Sequence, residues 1–352
     1  MHWPARHGKS LRIFMNPALD FQPSGLIANA HVQSLMTSGP WRKHVVGKAA
    51  RDYLSRTVPE VWRASDGTRL LGYRNVPPVD DSSTPKPLVV LIHGWEGSAN
   101  SNYLLSTANA LDQAGLATFR LNLRDHGESH HLNVGLFHSC RLFEVMDVVA
   151  KLSADWRAKH GEDSPVYLVG FSLGGNFTLR IARRGGEVGL VLSRAFAISP
   201  VIRPLHVMSA LEHGPTVYHQ YFVRKWRKSL KRKQTLFPND YDFSKWLEFK
   251  RLSEQTDWLI THYTDYPTVT EYLEGYSVAG GYLDGLELPT TIITAADDPI
   301  IPVSDFVSLP KIPALDLVIQ DRGGHCGFIE NWRMSSWIEK RLILEIAQAN
   351  VA

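Results

Sequence analysis

The chain has 352 residues, 44% of them hydrophobic and 21% charged, enough to bury a large core and too apolar for a disordered protein. A formal net charge of +3 is too small to imply a nucleic-acid ligand, and two cysteines, Cys140 and Cys326, cannot build the disulfide framework of a secreted domain. The N-terminus is basic without the apolar stretch of a signal peptide. No window approaches the ~18 uninterrupted apolar residues of a membrane-spanning helix, so a cytoplasmic location is expected.

Residues 1–50 are rich in Pro, His and Trp and read as an irregular N-terminal extension. Pro59 to Ala64 and Arg69 to Arg74 alternate around Ser65-Asp66-Gly67, a hairpin signal. After a polar loop at 76–87, Leu88 to His93 is an apolar β-branched run, the pattern of a buried central strand. Helices and strands then alternate. Asn100 to Ala114 reads as helix, Leu116 to Leu121 as strand, Ser139 to His160 as a long amphipathic helix and Pro165 to Gly170 as strand. Gly174 to Arg184 reads as helix and Leu190 to Ile198 as strand. After an interruption come strands at Pro289 to Ala295 and Ala314 to Gln320, and a helix at Trp332 to Asn350. This rhythm predicts an α/β fold with a doubly wound, mostly parallel sheet, whose ligands bind beyond the carboxyl ends of the strands. The interruption, 201–286, is aromatic, basic and helical in pattern; lying between two core strands, it reads as a helical cap. The expected organisation is an extension (1–50), a core (51–200 and 287–352) and the cap (201–286).

Gly170-Phe171-Ser172-Leu173-Gly174 is a G-x-S-x-G pentapeptide between a strand and a helix, the context of a nucleophile elbow. The sharp turn exposes the Ser172 hydroxyl and leaves no room for side chains two residues either side, hence Gly170 and Gly174. A serine nucleophile needs a base, and the base needs a group to hold its tautomer. Downstream, Asp298 in Thr294-Ala-Ala-Asp-Asp-Pro299 and His325 in Asp321-Arg-Gly-Gly-His-Cys-Gly327 both follow predicted strands, in the chain order Ser, Asp, His. Asp297 competes with Asp298, which is favoured because Pro299 stiffens its turn. Gly323, Gly324 and Gly327 let backbone pack close around the His325 ring. Cys326 lacks an elbow and reads as a small buried hydrophobe. The strand at 88–93 runs into His93-Gly94-Trp95-Glu96-Gly97, so the backbone N–H groups of Trp95 and Leu173 are the expected oxyanion donors.

Other features carry blander readings. Leu123-Arg-Asp-His-Gly-Glu-Ser129 reads as a structural turn. His126, His130, His131 and His138 cluster without a recognisable metal-ligand spacing. The basic run from Arg224 to Lys233 is either a solvated helix face or a segment docking on anionic lipid. Trp226, Phe237, Trp246, Phe249, Trp258 and Tyr263 of the cap either line an apolar acyl pocket or form the cap's own core.

Four stretches carry a resemblance across nearly the whole chain: Asn29-Ala-His-Val-Gln33; His93-Gly-Trp-Glu-Gly-Ser-Ala-Asn-Ser-Asn-Tyr103; the elbow at 170–175; and Asp298 and His325 in their loops. The chain resembles family 4 of the α/β-hydrolase superfamily, the YheT-like hydrolases. That resemblance implies an α/β-hydrolase fold, a Ser172–Asp298–His325 triad and carboxylesterase or lipase-like cleavage of acyl esters without a cofactor. Leu123 to Ser129 departs from the Arg-Gly-Cys-Ser-Gly style usual in that family, which leaves substrate preference open. Membrane-anchored animal relatives carry an N-terminal transmembrane helix; here lipid access is expected to be peripheral. Two rival readings stay open: an acyltransferase using the same triad, and a membrane- or partner-binding protein with a decayed site.

Overall fold

A computed structural model describes residues 21–78 and 86–349. The described chain opens with a 3₁₀ turn at Gly25–Ala28 and three helices, α1 (Ala30–Ser38), α2 (Pro40–Ala49) and α3 (Arg51–Ser55). The irregular extension expected over 1–50 is therefore corrected for 25–49, while residues 1–20 lie outside the described residues. Local chemistry supports these helices: the Asn29 side chain accepts the N–H groups of His31 and Val32, and Pro40 opens α2. Their buried positions are Gln33, Thr37, Arg42 and Val46. Three of these four are polar, so the apolar period that announces a helix is missing.

β1 (Val58–Arg63) and β2 (Arg69–Asn75) form an antiparallel hairpin pairing Val58 with Arg74 and Arg63 with Arg69. There follow β3 (Leu88–Ile92), α4 (Asn102–Gln113), β4 (Ala117–Leu121), α5 (Leu142–His160), β5 (Val166–Phe171), α6 (Leu173–Arg184) and β6 (Arg194–Ile198). Four helices are inserted next: α7 (Pro204–His213), α8 (Thr216–Leu236), α9 (Leu252–Tyr263) and α10 (Val269–Glu274). The chain then returns through β7 (Thr290–Ala295), α11 (Val303–Val307), β8 (Leu315–Gln320) and α12 (Trp337–Ala349). The last helix begins five residues later than the sequence predicts, because Asn331 to Met334 form a turn in which Met334 takes a φ of 66°.

The eight strands form one sheet in the order β1-β2-β4-β3-β5-β6-β7-β8, with β2 antiparallel to both its neighbours and every other pair parallel. Every residue of β3, β4, β5 and β7 is buried, as expected of strands covered on both faces. Alternation assigns the faces. Val89, Leu91, Val169 and Phe171 pack with α4 and α12, whereas Leu88, Val90, Ile92 and Leu168 pack with α5 and α6. The chain order reverses around β3: β4 lies on one side and β5 on the other. The crevice beyond the carboxyl ends of β3 and β5 is thus a topological switch point. Among the described residues no helix is long and apolar enough to cross a membrane.

Candidate active site

Ser172 sits in that crevice, between β5 and α6, with φ 54° and ψ −116°, a conformation that L-residues rarely adopt. The flanking glycines make it attainable: a Cβ at Gly170 would fall 2.1 Å from the Gly174 carbonyl oxygen, and one at Gly174 would fall 2.3 Å from the Ile92 carbonyl oxygen. The Ser172 Oγ lies 2.9 Å from His325 Nε2, and His325 Nδ1 lies 2.9 Å from Asp298 Oδ2. Asp298, after β7, has a fully buried side chain whose Oδ1 accepts the N–H groups of Ile300 and Ile301 at 2.8 and 3.0 Å. These bonds aim its carboxylate at the histidine. Asp297 points elsewhere and accepts the Gly324 N–H at 2.8 Å, tying the two loops together. Burial pushes the His325 imidazole down, but the Asp298 carboxylate outweighs it and holds His325 well above the usual histidine range. Cys326 is buried in the core with its Sγ 3.8 Å from the Ile198 carbonyl.

The loop carrying His325 rests on α1. Ser34 Oγ accepts the His325 N–H at 2.8 Å. Gln33, fully buried, donates to the carbonyls of Ile27 and Ile329 and accepts the Ile329 N–H, all at 2.8 Å. The contact leaves no room for side chains: a Cβ at Gly324 would lie 2.4 Å from the Ala30 carbonyl oxygen, and one at Gly327 would lie 2.6 Å from Gln33 Oε1. The Asn-x-His-x-Gln stretch near the N-terminus is thus the bed of the histidine loop. Nothing local to that stretch announces the role.

Trp95 follows β3 and Leu173 opens α6; among the described residues no acceptor engages either backbone N–H. Gly94 brings the Trp95 loop against the serine, since a Cβ at Gly94 would lie 3.1 Å from Ser172 Cβ. The peptide joining Gly94 to Trp95 is fixed from its carbonyl end, where His93 Nδ1 and the Gly97 N–H both donate to the Gly94 oxygen, at 2.7 and 3.0 Å. The Tyr103 hydroxyl accepts the Gly94 N–H at 2.9 Å. His126 Nε2 accepts the Glu96 N–H at 3.2 Å, and from the cap Lys225 Nζ donates to the Glu96 carbonyl at 3.0 Å. Burial keeps both imidazoles neutral, pushing His93 well down and His126 to about 4. Burial also lifts the Glu96 carboxyl to about 8, against the pull of Lys225. Sequence gave His93, Tyr103, His126 and Lys225 no part in this loop, because each acts through backbone atoms that no side-chain pattern announces.

Leu123 to Ser129 is a brace for that loop and for the cap. Arg124 pairs with buried Glu144 at 2.6 Å, and Asp125 forms a buried ion pair with Lys233 of α8 at 2.7 Å while accepting the Phe137 N–H. The basic run on α8 therefore divides. Lys225, Arg227, Arg232 and Lys233 hydrogen-bond inward to protein carbonyls, whereas Arg224, Lys228 and Lys231 are exposed. Of the other clustered histidines, His130 bonds Ser229 at 2.8 Å and His138 packs edge-on against Tyr266 and Tyr272.

An apolar cleft of about 890 Å³, counting its open mouth, runs from Ser172 under the inserted helices. Of the six cap aromatics expected from sequence, only Trp226 lines it. Trp246 is buried in a separate cap cluster with Phe237, Trp258 and Tyr263 packed against it, and Phe249 bonds through its carbonyl to Arg227. The walls come instead from Phe222, Leu211, Met208, Leu252, Leu259 and Ile260, with Phe137 and the Trp95 ring. Trp95 stacks on Phe222 at 5.1 Å and meets Trp226 edge-on at 5.2 Å, so the cap seats on the loop beside the serine.

The chain matches the model of the alpha/beta hydrolase family over residues 89–333, more than half its length. It is 28% identical to YheT of Escherichia coli (strain K12), named as a candidate esterase, over 269 residues that cover 73% of this chain and 75% of that protein. It is 25% identical over 191 residues to Protein ABHD15 of Homo sapiens, covering 53% of this chain and 40% of the human one. Among solved structures, the Pyrococcus furiosus esterase Pf2001 superposes with a TM-score of 0.53 at 16% identity, covering 85% of this chain and 92% of that one. The 2,6-dihydroxy-pseudo-oxynicotine hydrolase gives 0.54 at 17% identity, covering 86% and 69%. At such identities the structural likeness speaks for the fold alone. On the family match, with the sheet order and the elbow that agree with it, the chain belongs to the alpha/beta hydrolase family.

Proposed function

We propose that this chain is a serine hydrolase that cleaves carboxylic esters through an acyl-enzyme. The observation that carries the reading is the continuous hydrogen-bonded line from Ser172 through His325 to Asp298, opening into a cleft with no charged lining residue. His325 takes the proton of Ser172 as its oxygen attacks the ester carbonyl. The negative charge that develops on that carbonyl oxygen is met by the N–H groups of Trp95 and Leu173, and the positive end of α6 adds to them. His325, now an imidazolium held by Asp298, protonates the leaving alcohol. Water then enters, His325 removes its proton, and hydrolysis of the acyl-Ser172 bond returns the free acid. The acyl chain occupies the apolar cleft beneath α7, α8 and α9. Every step uses protein groups and water.

A series of 4-nitrophenyl esters of graded acyl length tests this. Saturable hydrolysis is expected, with kcat lowered about 10⁴-fold or more by Ser172→Ala. Hydrolysis that Ser172→Ala leaves unchanged would remove Ser172 from the chemistry. Product analysis with a competing alcohol then distinguishes water from alcohol as the acyl acceptor.

A further inference from the structure

His138 is a polar group without a hydrogen-bond partner, among the described residues, in the wall of a largely apolar cleft. It lines the cleft with Phe137 and Ser139, and among the described residues neither ring nitrogen has a hydrogen-bond partner; Nδ1 is fully buried. The ring packs edge-on against Tyr266 and Tyr272, at centroid distances of 5.9 and 6.4 Å. The segment that carries it is fixed too: the Phe137 N–H donates to Asp125, the Ser139 N–H to the Tyr272 hydroxyl, and the Phe137 ring packs edge-on against His126 at 4.7 Å. None of the proton transfers at Ser172 uses His138. With Nδ1 buried, Nε2 is the ring nitrogen open to the cleft, and a polar atom left without a partner there points to a ligand that satisfies it.

The surroundings say what kind of group that is. Arg180 is buried, donates to the Ser139 carbonyl at 2.8 Å, and has no carboxylate within ion-pair distance among the described residues. Arg141 likewise donates to a carbonyl, that of Leu136, at 2.8 Å. Burial, with Arg141, Arg124 and Arg180 nearby, pushes the His138 imidazole down to about 3, so the ring is neutral and presents one N–H. A positive neighbourhood and an N–H donor favour a lone-pair oxygen. The lining residues themselves carry no charge, which disfavours a carboxylate there.

We propose that the acyl chain accepted by this cleft carries an uncharged oxygen, a keto or hydroxyl group, and that His138 donates a hydrogen bond to it. The placement of this chain as an acyl group rests on the ester-hydrolase reading above; the His138 subsite does not.

The test is binding, separated from turnover. Methyl hexanoate and methyl 3-, 4- and 5-oxohexanoate are titrated into the Ser172→Ala protein and followed by ligand-observed NMR. At least one oxo ester is expected to bind about 10-fold more tightly than methyl hexanoate. Adding His138→Leu should abolish that preference, while His138→Gln, which keeps an N–H donor, should retain part of it. As a second readout that needs no change at 138, the His138 ring ¹⁵N resonance should move with the preferred oxo ester and stay still with methyl hexanoate. No preference for any oxo ester, a preference that survives His138→Leu, or an unmoved ring resonance overturns the proposal. Turnover of the same esters by the Ser172 protein is scored separately. Binding preference without turnover would support the His138 subsite and sink the ester-hydrolase reading instead.

Discussion

Gln33→Leu separates the bed of the histidine loop from the chemistry above it. Leucine nearly matches glutamine in volume and cannot hydrogen-bond. The substitution therefore removes three 2.8 Å bonds and leaves the Ile27 carbonyl and both backbone groups of Ile329 without the partner they have now. Each buried group left unsatisfied costs roughly 1–3 kcal/mol, so even the low end sums to about 3 kcal/mol. Water cannot easily replace the amide, because the backbone at Gly327 already sits against Gln33 with no space for a methyl group. At roughly 2 °C per kcal/mol for a chain of this size, Tm should fall by about 6 °C. Because Ile329 lies four residues beyond His325, the imidazole should shift as the loop relaxes. A misplacement of about 1 Å lowers kcat on the order of 10²-fold. KM should change little, since Gln33 does not line the cleft. Calorimetry and steady-state kinetics on a 4-nitrophenyl ester read both effects. A lowered Tm with unchanged kcat would make α1 a brace with no part in positioning His325. Parental values of both would show that the three bonds carry no net energy.

Asp298→Asn should lower kcat roughly 10³- to 10⁴-fold. His325 works as a base only when neutral, so activity rises with pH through its pKa. The Asp298 charge lifts that pKa, so Asp298→Asn should move the acid limb of the pH–rate profile to lower pH; an unmoved limb would contradict the assignment. Asp297→Asn keeps an oxygen that can accept the Gly324 N–H, so less than about a 10-fold change in kcat is expected, and a loss like that of Asp298→Asn would reverse the choice between the two carboxylates. Lys225→Met removes a charged donor from the Glu96 carbonyl and should lower kcat about 10-fold, whereas exposed Lys228→Met should stay within about twofold; equal kinetics for the two would mean the cap does not support the Trp95 loop.

How much could be read from sequence depended on whether a residue acts through its own neighbours or through distant ones. β3 was legible because Leu88–Ile92 is apolar and β-branched on both faces, the pattern forced on a strand covered by helices on each side. The elbow was legible because its constraint is local: both glycines are demanded by atoms within one turn or by the adjacent strand. α1 and α2 were missed because Gln33 and Arg42 occupy buried positions that a period search assigns to apolar residues. Gln33 is there to satisfy backbone from the other end of the chain. The cap aromatics stayed unresolved between cleft and cap core for a related reason. In the strands, alternation fixes which side chain faces which layer, whereas across 201–286 each helix could turn several faces toward Ser172. Trp246 and Trp258 went to the cap's interior, and Phe222 and Met208 went to the cleft.

The most direct test is to treat the purified protein with a fluorophosphonate and map the adduct by mass spectrometry. A single modification on the peptide containing Ser172 is expected, slowed by His325→Ala and absent from Ser172→Ala. Modification at another residue, or equal labelling of Ser172→Ala, would contradict a serine nucleophile at this elbow.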